Sequence, residues 1–517
     1  MKFCKLLILA LLSATAASAQ AQPQVSTGSG VLNGKAQGGV DAFLGVPYAA
    51  PPVGALRWRA PQPARAWSGQ RDATRFGAAC YQDVASAWGP YTAEFTAPAP
   101  VSEDCLFLNV WKPAGSSKGL PVLVYIHGGA FAGGSGHVPI YDGANLARRG
   151  LVVVTINYRV GVFGFLAHPA LTAEGPGSGN YGLLDQVAAL RWVRENAVRF
   201  GGDPARVTIA GESAGAASVN DLQVMPAARG LFARAVSISG ASMAIDTPTL
   251  AAGEADGLGL ANKLGVNGLA DLRKIPAQAF IAATKVVPGG GPPKLIFVPH
   301  VDGVALPGDP ANPVTPRANR VPLLTGFNAD EMIDPSVRTP TDLERTLRAR
   351  YGTFAEQLLA LYPHASDADA AASNALIARD RYMTGLLIWA GSRPKAAGDR
   401  IYLYRHDQPY PAARGGLAWG AFHSSSLPYV FGNLGLGDRQ FGPADRALSA
   451  RWQDVIVAFA RTGNPGLPGH SWPAVGAGTT RVMGFGPDQA LRPAVSTPER
   501  LAAWRAYAAS GGSLGLT

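Results

Sequence analysis

The chain has 517 residues, 47% of them hydrophobic and only 15% charged, which suits a large buried core and excludes a disordered protein. A formal net charge of +10 raises nucleic acid, anionic membranes and acidic substrates as partners. Lys and Arg are scattered, however, and no aromatic–basic nucleic-acid motif appears, so the charge reads as a solvated surface bias that at most steers an anionic substrate.

In chain order, the first feature is MKFCKLLILALLSATAASAQAQ. Two lysines, an apolar run from Leu6 to Leu12 and small residues with A-x-A sites predict a signal peptide over residues 1–19, with cleavage as late as 21. The apolar run is too short to span a bilayer, and no later segment is long and apolar enough. Cys4 lies too early for lipid attachment. The protein is therefore expected to be exported, periplasmic or extracellular, with a net charge of +8 once Lys2 and Lys5 are removed. The remaining cysteines, Cys80 and Cys105, form an even pair in an exported chain and suggest one disulfide.

Leu120–His127 (LPVLVYIH) and Leu151–Tyr158 (LVVVTINY) are apolar without alternation, the pattern of central strands covered on both faces. Leu183–Phe200 has helical spacing and is stopped by Gly201-Gly202-Asp203-Pro204. Arg206–Ala210 is a short strand, followed by Ser213 and a helix opening at Ala214: a βα unit. Val287–Pro293 reads as a loop, Val321–Thr325 and Arg400–Tyr404 as strands, and 511–517 as a mobile tail. No repeat or low-complexity linker divides residues 25–510, which are taken as one α/β domain with insertions.

Gly211-Glu212-Ser213-Ala214-Gly215 is a G-x-S-x-G frame between strand and helix. A serine hydroxyl is a poor nucleophile unless a base takes its proton, and this turn lifts it over the sheet edge where a base can reach it. Attack on an ester carbonyl also needs backbone N–H groups to hold the oxyanion. His127-Gly128-Gly129-Ala130-Phe131 follows a strong strand and supplies such a loop, with Gly129, Ala130 and Ala214 as the donors. A nucleotide loop fits less well, because the chain has neither a P-loop nor a complete dinucleotide fingerprint here. Spacing does not choose the base among His364, His406 and His423.

The ordered motifs do more. FLGVPYAAPPVGALRW (Phe43–Trp58), EDCLFLNVW (Glu103–Trp111), the HGGAF loop, NYRVGVFGFL (Asn157–Leu166) and NYGLLDQ through GGDPARVTIAGESAG together resemble the type-B carboxylesterase family, which includes the cholinesterases, over about Val25–Trp504. The resemblance implies an α/β-hydrolase fold, a mostly parallel central sheet flanked by helices. It also implies a carboxylic ester hydrolase that needs no metal or cofactor and acts on a small-molecule ester. In the G-x-N-x-D-E segment it makes Glu331 the acid, with Asp330 as fallback. In HSSSLPYVFG it makes His423 the base. It supports the Cys80–Cys105 pairing and marks Ser239 as a supporting residue near the triad.

Two departures stand out. Ser426 replaces a glutamate common in the family three residues after the histidine, and Trp88 lies far from Cys105, so choline esters are not expected. Phe131, Trp88, Tyr91, Phe95 and Trp389 are candidates either for an aromatic pocket or for packing. The family has catalytically silent adhesion relatives that lose triad members, whereas this chain keeps the triad and the oxyanion loop; among enzymes the alternative is a lipase with long-chain preference. Glu212 has two readings: a helix-start carboxylate favoured by the dipole, or a charge facing the histidine. In the second, the missing partner at Ser426 lets Glu212 ionise more readily than in relatives, since neighbouring carboxylates resist joint ionisation.

Overall fold

A strand that is apolar on both faces must be covered on both faces, and the computed structural model shows how this is achieved. It describes residues 22–84, 88–115, 117–175, 177–241, 247–285, 296–393 and 398–515. The expected signal peptide and the Val287–Pro293 loop lie outside the described residues.

The main sheet has 11 strands: β1 Lys35–Gln37, β2 Val40–Pro47, β3 Phe107–Pro113, β4 Leu120–Ile126, β5 Val152–Ile156, β6 Gly202–Glu212, β7 Arg234–Ile238, β8 Leu323–Asn328, β9 Ile401–His406, β10 Arg481–Phe485 and β11 Gln489–Pro493. Their spatial order is β11-β10-β9-β8-β7-β6-β4-β5-β3-β2-β1. The run from β5 through β10 is parallel, and antiparallel pairs close both edges.

Alternate side chains of one strand enter different cores. Val122, Val124 and Ile126 of β4 join the cluster on one face, while Leu123 and Tyr125 join the cluster on the other. The first cluster is covered by α1 (Tyr181–Asn196) through Leu183, Val187, Leu190 and Val193, and by α3 (Asp367–Ser392) through Tyr382, Met383 and Leu386. The second is covered by α4 (Pro443–Thr462) through Leu448, Trp452, Val455, Ile456 and Phe459. Each such fully buried side chain contributes about 1.5–3 kcal/mol relative to exposure.

Element boundaries differ from the sequence reading in explicable ways. The helix starts at Tyr181, and its last turn, Ala197–Phe200, tightens to a 3-10 helix before Gly201 takes the left-handed region (φ 81°). β6 is longer than Arg206–Ala210, because Gly211 and Glu212 continue the parallel register opposite Ser237 and Ile238. β8 and β9 begin and end later than expected, with Asn328 paired to His406. These extensions carry three strand ends to the same edge of the sheet. Near the C-terminus, Leu514 is buried in a cluster that includes Trp504.

Candidate active site

Ser213 stands between β6 and α2 (Ala214–Val224) with φ 56° and ψ −124°, a backbone conformation that costs a non-glycine residue free energy and that the surroundings must enforce. Its N–H is fixed to the Ile238 carbonyl oxygen of β7 (3.0 Å). The tight packing needs glycine: a Cβ on Gly215 would lie 2.1 Å from the Ile126 carbonyl oxygen. α2 therefore begins directly against the end of β4, and Ala214 is buried at its first position, where a helix N–H has no intrahelical acceptor.

The HGGAF loop continues from β4 across the same edge. Gly129, Ala130 and Phe131 all have positive φ (112°, 56° and 58°). This curl turns the loop back on itself, with the Ala132 and Gly133 N–H groups donating to the Gly129 carbonyl oxygen (2.9 and 3.0 Å). A Cβ on Gly128 would lie 3.0 Å from the Ser213 Cβ, so the loop lies directly against the serine.

Glu331 follows β8 and is fully buried. Its Oε1 accepts from the Ser239 hydroxyl (2.5 Å) and the Asn328 N–H (2.6 Å), and its Oε2 bonds His423 Nδ1 (2.9 Å). Two donors thus fix the carboxylate, which in turn orients the imidazole. Asp330, the alternative acid, is turned elsewhere: it accepts from the Ala421 N–H (2.7 Å) and braces the loop that leads to His423. Among the other histidines, His406 is buried in β9 and accepts from Trp452 Nε1 (3.2 Å), while His364 bonds the Tyr362 carbonyl oxygen. Neither lines the pocket at Ser213.

Glu212 is buried with its Oε1 3.3 Å from His423 Nε2, as the charge-facing-histidine reading expected. The same oxygen accepts from the Ser424 hydroxyl (2.6 Å). Nothing in the sequence marks Ser424, whereas Ser426 stands where the family commonly has a glutamate. The Ser426 hydroxyl is buried without a hydrogen-bond partner among the described residues. Burial pushes the Glu212 carboxyl above the ordinary glutamate range; His423 and the Ser424 hydrogen bond pull it back, and the Glu331 charge adds to the rise. At His423 burial acts downward, but the charges of Glu212 and Glu331 and the Glu331 hydrogen bond outweigh it and push the imidazole up to about 9.

Ser213, His423, Glu212, Gly129 and Ala130 line one cavity of about 490 Å³. Trp88, Tyr91 and Phe95 form an aromatic wall of it. All three lie in the segment closed by the Cys80–Cys105 disulfide. The other two aromatic candidates do not line it: Phe131 is buried against Phe165, and Trp389 is buried with Arg393 stacked over its ring.

The profile of the carboxylesterase family matches residues 21–504. Fumonisin B1 esterase of Sphingopyxis macrogoltabida is 39% identical over 469 residues, covering 86% of this chain and 83% of that protein. Para-nitrobenzyl esterase of Bacillus subtilis (strain 168) is 38% identical over 481 residues, covering 87% and 92%. A solved PNB esterase structure superposes with a TM-score of 0.78 at 34% identity, covering 93% of this chain and 99% of that one.

Proposed function

This chain belongs to the carboxylesterase family of carboxylic ester hydrolases, and we propose that it cleaves its substrate through Ser213, His423 and Glu331 by way of an acyl-enzyme. The carrying observation is the Glu331–His423 bond of 2.9 Å at the wall of the cavity that Ser213 lines.

With Nδ1–H donating a hydrogen bond to Glu331, the neutral imidazole presents Nε2 as an acceptor. Nε2 takes the Ser213 proton as Oγ attacks the ester carbonyl. The N–H groups of Gly129, Ala130 and Ala214 receive the oxyanion, each worth about a hundredfold or more in rate. The imidazolium then protonates the leaving alkoxide, and water repeats the sequence on the acyl-enzyme. Glu331, held by Ser239 and Asn328, stabilises the imidazolium without taking a proton.

The aromatic wall favours an ester with an apolar or aryl group. Residues 25–510 act as one catalytic unit in this reading, supported by a sheet whose strands run from Lys35 to Pro493. Export belongs to it too, supported by the basic–apolar–small pattern of residues 1–19 and by the disulfide, which suits an oxidising compartment.

A panel of p-nitrophenyl and p-nitrobenzyl esters, with Ser213→Ala as control, tests this function. Turnover and fluorophosphonate labelling are expected in the wild type and absent from Ser213→Ala. Labelling absent from the wild type, or equal in the variant, would remove Ser213 from the mechanism.

A further inference from the structure

The turn after His423 carries a group that the reaction scheme does not use. Ser424 has φ 75°, the left-handed region that favours glycine, and its hydroxyl is spent on Glu212 Oε1 (2.6 Å). That oxygen is also the one facing His423 Nε2 (3.3 Å). Tyr91 completes the arrangement: its hydroxyl donates to the His423 carbonyl oxygen (3.0 Å) and so fixes the backbone leading into Ser424. A conformation that costs free energy is thus held from two sides, with its hydroxyl aimed at the carboxylate that competes with Ser213 for the imidazole.

With His423 as the base, as in the function proposed above, we propose that Ser424 is a positioning residue for ester hydrolysis. Its hydroxyl occupies Glu212 Oε1, weakens that oxygen's hold on His423 Nε2, and keeps Nε2 available to Ser213. An acceptor already engaged by a strong donor attracts a second donor less. Without the hydroxyl, His423 becomes the nearest remaining donor to Glu212, and the pair holds its shared proton more tightly. The neutral imidazole that Ser213 needs then appears only at higher pH.

The charged groups facing Glu212 are His423 and Glu331. Its other titratable neighbours are the phenols of Tyr91, Tyr125, Tyr141, Tyr158 and Tyr404, all pushed upward by burial and therefore neutral across the assay range. The shift thus belongs to the coupled Glu212–His423–Glu331 set, of which Ser424 touches only Glu212.

The experiment is the pH profile of kcat/KM for p-nitrophenyl acetate in the wild type, Ser424→Gly, Ser424→Ala and Glu212→Gln, and in the Ser424→Gly/Glu212→Gln double variant. Ser424→Gly relieves the backbone strain and should melt no lower than the wild type. Its acid limb should nevertheless move up by about one pH unit, the size of a hydrogen bond to a carboxylate. Ser424→Ala, which keeps the Cβ, should show the same shift. In the Glu212→Gln background, removing the Ser424 hydroxyl should move the limb no further. An unmoved limb in both folded single variants overturns the proposal, as does an equal shift in the Glu212→Gln background. Neither result touches the role of Ser213, which the Ser213→Ala labelling control reads separately.

Discussion

Replacing Glu331 with glutamine tests the orientation of the imidazole rather than the presence of a charge. The side chain keeps its shape, but one of its ends becomes a donor. The Oε1 site faces the Asn328 backbone N–H (2.6 Å), which can only donate, so the amide oxygen must take that place. The amide nitrogen then occupies the Oε2 site, 2.9 Å from His423 Nδ1, where it can only donate. Nδ1 must accept, the proton moves to Nε2, and Nε2 can no longer take the proton of Ser213. Loss of one charged hydrogen bond alone would cost about 1.5–3 kcal/mol, roughly 10- to 150-fold in rate. An inverted tautomer costs about 10⁴-fold in kcat. The assay is steady-state hydrolysis of p-nitrophenyl acetate alongside a thermal melt, with fluorophosphonate labelling as a second rate. A folded Glu331→Gln protein whose kcat falls by less than about a hundredfold would refute the tautomer reasoning.

Further outcomes follow from the same geometry. In the proposed mechanism neutral imidazole is the active form, and two carboxylates hold its proton on, so kcat/KM should fall as pH drops through a value above the ordinary histidine range of about 6.5 and towards about 9. In Glu212→Gln, with one of those carboxylates neutralised, the acid limb should move down; a profile over pH 5–10 checks both. Trp88→Ala removes part of the aromatic wall and should raise KM for aryl esters about 2- to 10-fold with kcat little changed, measured against a short alkyl ester as reference. Cys80→Ser/Cys105→Ser opens the loop that carries this wall and should destabilise the fold by about 2–4 kcal/mol, read from urea midpoints and matched by the reduced wild type.

How far the sequence disclosed the site follows from how local each signal is. β4 and β5 were legible because burial on both faces leaves an unbroken apolar run, and Ser213 because its turn, glycines and flanking elements are contiguous in sequence. The partners of Ser213 are assembled by the sheet. Glu331 and His423 lie 92 residues apart and meet because β8 and β9 end at the same edge, so spacing left three histidines open and only family resemblance chose among them. The structure separates His406 from His423 through their neighbours: burial inside β9 pushes the His406 imidazole down to about 3, whereas at His423, in a loop braced by Asp330, Glu212 and Glu331 outweigh burial. Aromatic residues were equally indistinct in sequence. Phe131 adjoins the oxyanion loop yet points into the core, whereas Trp88, at a distance in sequence, reaches the pocket in the disulfide-closed segment. Ser424 was the hardest to see. In a run of three serines, the one that matters is set by a backbone angle and by a contact across 212 residues to Glu212, and neither leaves a mark in composition or periodicity. The carboxylate beside Ser213 therefore presents one oxygen, Oε1, to both the Ser424 hydroxyl (2.6 Å) and the His423 imidazole (3.3 Å).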